Sequence, residues 1–87
     1  MLDVKQRTIQ VIEVEEGYVF EIHEFPVDKD TLVEVWVYQK EYSTKIHAFS
    51  IMKSTISNPA KLYQHIEENM KEYIDTYKEE VIEETED

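Results

Sequence analysis

The sequence predicts an α+β domain: a four-stranded antiparallel β-meander followed by one long C-terminal α-helix packed on one face of the sheet. Three features carry that expectation. Apolar residues alternate through most of residues 8–52. Gly17, the single glycine, falls between the first two alternating segments. Asn58-Pro59 then opens a stretch whose apolar residues recur every three or four positions. Alternation marks a strand, and spacing by three and four marks a helix.

The first strand is placed at about 8–15, where Thr8, Ile9, Val11, Ile12 and Val14 are β-branched. Glu16-Gly17 follows, and glycine accepts the positive φ that a tight hairpin requires. Strand two is read at about 18–25. Pro26 to Asp30 has turn composition, with a proline and two aspartates. Strand three is placed at about 31–39, a turn near Lys40 to Ser43, and strand four at about 44–52. All these connections are short, which favours antiparallel neighbours over a parallel sheet.

Proline disfavours α geometry at Asn58 but fits the first helical position, and the Asn58 side chain can cap free N–H groups. Leu62, Ile66, Met70, Ile74, Tyr77 and Val81 form one helical stripe, flanked by Tyr63, Tyr73 and Ile82. A helix over about 59–83 would be ~37 Å long. A strand of ordinary length covers ~20 Å, so the last helical turns are expected to project or fray. The acidic tail, 83–87, adds negative charge at the unfavourable end of the helix dipole.

At 87 residues the chain is read as one domain, 1–87, with a thin core that would gain from association. A hydrophobic content of 41%, with 11% aromatic residues, is too high for a disordered segment. No apolar run approaches the ~20 residues of a membrane span. The N-terminus lacks the apolar stretch of a signal peptide, and there is no cysteine. A cytoplasmic location without membrane contact is the expectation.

Charge is distributed unevenly. From Asn58 to Asp87 there are ten acidic residues against three lysines, so this segment carries −7 of the net −11. Glu68, Glu72, Asp75, Glu79, Glu83 and Glu86 follow steps of three and four, forming an acidic ridge opposite the apolar stripe. Like charges at these spacings are mildly destabilising. The simpler explanation is solubility. The sharper one is an acidic nucleic-acid mimic that inhibits a DNA-binding protein. The ridge offers one charge per ~5 Å, against one per ~1.7 Å on duplex DNA.

Strict alternation gives the sheet two apolar faces. Strand two sets Tyr18, Phe20 and Ile22 against Val19, His23 and Phe25, strand three sets Val33, Val35 and Val37 against Leu32, Trp36 and Tyr38, and strand four sets Ile46 and Ala48 against His47, Phe49 and Ile51. One helix covers one face. The second face, with Leu32, Trp36, Tyr38, Phe49 and Ile51, is therefore a candidate interface, with a second copy as the simplest partner. Barrel-like curling, or an N-terminal segment folded over the face, would bury the same residues within one chain.

Chemistry finds little purchase. His23, His47 and His65 lack a local metal-ligand pattern such as His-Glu-x-x-His, so no metal and no cofactor is expected. Ser43, Ser50, Ser54 and Ser57 lie in no nucleophile elbow, and one glycine leaves no room for a phosphate-binding loop. A non-enzymatic interaction or regulatory module, homodimeric, is the reading. The competing class is single-stranded nucleic-acid binding, by Lys40, Tyr42, Lys45 and Lys53 beside Trp36 and Tyr38. A dimerised meander with a following helix is similar in architecture to Whirly-type and positive-cofactor-type single-strand binders. The net charge of −11 makes nucleic acid the less favoured partner.

Overall fold

The computed structural model describes residues 7–56 and 58–83. The segment 1–6 and the tail 84–87, with Glu86 of the acidic ridge, lie outside the described residues. Strands β1 (Arg7–Glu13), β2 (Tyr18–Val27), β3 (Asp30–Gln39) and β4 (Ile46–Met52) form one sheet in the order β1-β2-β3-β4. Every pairing is antiparallel. Helix α1 (Pro59–Tyr77) follows and runs on into a π-helical turn, Lys78–Ile82. The architecture is thus the α+β meander-plus-helix that periodicity predicted.

The β1–β2 connection is wider than a two-residue hairpin. Residues Glu15–Gly17 make one 3-10 turn, closed by a bond from the Val14 N–H to the Tyr18 carbonyl at 2.8 Å. Both Glu16 (φ 64) and Gly17 (φ 78) are left-handed. At Gly17 a Cβ would also meet the Gln39 amide nitrogen at 3.2 Å. That amide donates to the Glu16 carbonyl at 3.0 Å, which holds the non-glycine residue in its costly conformation.

The β2–β3 hairpin is tighter than composition suggested. Val27 pairs with Asp30, so the turn is only Asp28-Lys29, with Asp28 at φ 55. Positive φ at the first central residue is what the favoured hairpin turns need. Pro26 lies inside β2, opposite Thr31. Among the described residues β1 pairs with β2 only as far as Glu24, so none of them asks a ladder bond of the proline there.

Helix α1 packs on the face built from Tyr18, Phe20, Ile22, Val33, Val35 and Val37, with Ile66, Tyr77 and Val81 buried against it. Each fully buried side chain of this kind contributes about 1.5–3 kcal/mol. Asn58 caps the start, its side-chain oxygen accepting from the Ala60 N–H at 2.9 Å, and Pro59 takes the first helical position. Tyr77 is wholly buried, meets Tyr18 edge-on and donates its hydroxyl to the Thr44 carbonyl at 2.6 Å.

Two expectations need correction. The helix does not project after its covering stretch: Val81, in the π-helical turn, is buried at 7% exposure. The central strands run to ten residues each, about 33 Å rather than ~20 Å, so the sheet is long enough to cover the helix. The second correction concerns β4. Trp36 pairs with His47 but Val35 with Phe49, so Ala48 is an extra, bulged residue. One inserted residue inverts the alternation beyond it. Phe49 and Ile51 therefore sit on the helix side, with Val35 and Val33, and not beside Trp36. Phe49 stacks on Tyr73 and meets His65 edge-on, both on α1.

Candidate functional site

The sheet face away from α1 carries Leu32, Trp36 and Tyr38, as alternation predicted. It also carries Val11, Val19, Phe25 and Val27, by their pairings with or alternation from these strands. None of the described elements packs on this face. Its margin is apolar and open, with Val11 55% and Val27 42% exposed. Its centre is closed, with Val19 at 1%.

Two lysine–glutamate bridges strap that centre. Lys40 reaches Glu13 at 2.8 Å, spanning β2 at the level of Val19. Lys45, from the loop before β4, lies 4.9 Å over the Tyr38 ring and donates to both carboxylate oxygens of Glu21, at 3.1 and 3.0 Å. His23 shares that carboxylate through Nε2 at 2.9 Å. Burial works against the charge on Glu21, but the hydrogen bonds from His23 and Lys45 outweigh it and hold its carboxyl below the usual range. A carboxylate fixed in its ionised form by two donors is poorly suited to proton transfer at neutral pH. The trio is built to tie β2 to the β4 approach.

Trp36 adds a third polar contact. Its indole N–H donates to Glu34 at 3.1 Å, and its ring meets His47 edge-on at 5.4 Å. His23 and His47 thus share a face but stand two strands apart, with β3 between them. His65 lies on the other side of the sheet, its Nε2 3.0 Å from the Tyr73 hydroxyl. Among the described residues no group of three His, Asp or Glu side chains is placed to hold a metal ion. None of the described helices is long and apolar enough to cross a membrane.

The acidic ridge is where the helical spacing puts it. Glu68, Glu72, Asp75, Glu79 and Glu83 are all exposed, and Lys71 stands 3.7 Å from Asp75. The basic residues weighed for nucleic-acid contact are engaged elsewhere. Lys40 and Lys45 hold Glu13 and Glu21, and Lys53 holds Glu24 at 3.1 Å.

No protein family, curated protein or solved structure matches this chain. The site must be read from its own geometry. Sequence reasoning missed Val11 and Val27 as open margin residues, although strand alternation places both on the Trp36 face. It also missed the Lys45–Glu21 and Lys53–Glu24 pairs, whose members are 24 and 29 positions apart. Only register brings such residues together.

Proposed function

We propose that the protein is a non-enzymatic interaction module that pairs with a second copy of itself through the sheet face bearing Trp36. The observation that carries this reading is the exposure of Val11 and Val27 around Phe25, Leu32, Trp36 and Tyr38, on the face that α1 leaves uncovered. Apolar side chains gathered on one face of a thin domain gain most from being covered, and a two-fold contact covers two such faces at once. The Lys40–Glu13 and Lys45–Glu21 bridges would then serve as polar registration marks within the contact. The ion-paired state of Lys40, Lys45 and Lys53 argues against the single-strand-binding alternative, since phosphates would have to displace carboxylates already in place. The acidic ridge remains a candidate only for solubility or mimicry, and neither needs the sheet face.

Light scattering after size exclusion tests the reading. The wild type is expected to be a dimer. Trp36→Glu and the double variant Val11→Lys, Val27→Lys are expected to be folded monomers with unchanged far-ultraviolet circular dichroism. A wild type that stays monomeric at 1 mM would overturn the proposal.

A further inference from the structure

We infer that the open edge of β4, with the groove beside it, takes up an extended peptide of apolar and acidic residues as a fifth strand. β4 ends the sheet, so the backbone groups on its outer side have no partner within the sheet. Edge strands are ordinarily guarded by charge or proline. β1, β2 and β3 each contain charged residues, whereas Ile46-His47-Ala48-Phe49-Ser50-Ile51-Met52 contains no Lys, Arg, Asp or Glu. In a chain that is 33% charged, that run leaves this edge without a charged or proline guard, and its bulge at Ala48 lies before the Phe49–Ile51 stretch that borders the groove beside it.

Between β4 and the first turns of α1 lies a groove of about 460 Å³, walled by Phe49, Ile51, Ile56 and Leu62. A strand added to β4 would present every second side chain to this groove, which fits recognition by strand addition with pockets for alternate residues. Among the described residues of the lining, Lys61 is the one Lys, Arg, Asp or Glu. Lys40, Lys45, Lys53 and Lys71 all stand against carboxylates, but Lys61 makes no ion pair among the described residues. An unpaired ammonium at the wall of an apolar groove selects a carboxylate on the incoming segment.

The opposite edge differs in each respect. The groove beside β1, about 550 Å³, contains Glu67 and is spanned by a hydrogen bond from the Tyr63 hydroxyl to Gln10. A second copy is also a poor occupant for the β4 edge. Pairing β4 with β4 would offer Lys61 a strand without carboxylates. The β4 surface is separate from the Trp36 face and rests only on the protein's being an interaction module.

The full chain would be panned with a phage library of random eight-residue peptides, and enriched peptides measured by fluorescence anisotropy. Expected are sequences with apolar residues at alternate positions and at least one Asp or Glu. Lys61→Glu should weaken their binding at least tenfold while its melting temperature stays no lower than that of the wild type. Methylating the peptide's backbone nitrogens one at a time should abolish binding at every second position. Trp36→Glu should leave the affinity unchanged, so failure of the dimer and failure of this site are separate results. No enrichment, undiminished binding by Lys61→Glu, or indifference to N-methylation would overturn the inference. So would a wild-type dimer that the peptide dissociates, because β4 would then be filled by a second copy.

Discussion

Glu21 shows how a single side chain couples this sheet to pH. Its carboxylate is nearly buried, at 12% side-chain exposure, yet it stays ionised because His23 and Lys45 donate to it. The folded pKa lies below the ordinary glutamate value. Its contribution to stability is therefore fully present above the unfolded value and is lost as pH falls through the folded one. Asp30 follows the same sign. The Ser54 hydroxyl and the Thr31 and Ser54 N–H groups bind its charged form and lower its pKa, tying the start of β3 to the turn that leads toward α1. Glu21→Gln keeps the shape and removes the charge. It should cost about 1 kcal/mol at pH 7, less than the ~1.5–3 of a charged hydrogen bond in full burial, because Lys45 is half exposed. Urea unfolding of wild type and variant at pH 7, 5 and 3.5 checks the sign. The gap between the two should narrow as pH falls, whereas an equal gap throughout would mean that the charge contributes nothing.

Elements were legible where a residue type leaves a physical mark. Gly17 is needed for a left-handed backbone, Asn58-Pro59 announces a capped helix start, and the stripe from Leu62 to Val81 can only be one face of a helix. The bulge at Ala48 was illegible for the opposite reason. Alanine has no conformational privilege there, and nothing local distinguishes a bulged residue from a paired one until β3 fixes the register. Three of the five candidate interface residues (Leu32, Trp36, Tyr38) therefore lie on the face away from α1, and Phe49 and Ile51 do not. The difference can be measured. As part of the helix-side aromatic cluster with Phe20, His65 and Tyr73, Phe49 works in the fold itself. Phe49→Ala should destabilise by roughly 2–3 kcal/mol, less than the ~3–5 of a fully buried phenylalanine because the site is half-buried. The melting temperature should fall by at least ~8 °C. A variant that melts like the wild type would return Phe49 to the outer face.

At the scale of the whole molecule the governing facts are thinness and charge. The body measures 45 × 33 × 17 Å, two layers and no more, and carries a net charge of −11. Opposing electrostatic terms act on it. Four Lys–carboxylate bridges among the described residues, Lys40–Glu13, Lys45–Glu21, Lys53–Glu24 and Lys71–Asp75, favour the fold. Every lysine in them is about half exposed or more, and such pairs are worth about 0–1 kcal/mol each. Against them stand the ridge Glu68, Glu72, Asp75, Glu79 and Glu83, whose like charges meet at helical neighbour distances, and the repulsion of all remaining excess charge. Folding concentrates that excess, whereas the unfolded chain disperses it. The Debye length shrinks from ~30 Å at 0.01 M salt to ~10 Å at 0.1 M, so salt removes long-range repulsion first and reaches the closer bridges last. Stability should therefore rise with ionic strength. The melting temperature is expected to climb by several degrees between 0.01 and 0.5 M sodium chloride. A variant with Glu68, Glu72, Asp75 and Glu79 all changed to Gln should start higher and climb less. If melting temperature falls with salt instead, the bridges outweigh the ridge, and the acidic helix face costs the fold nothing.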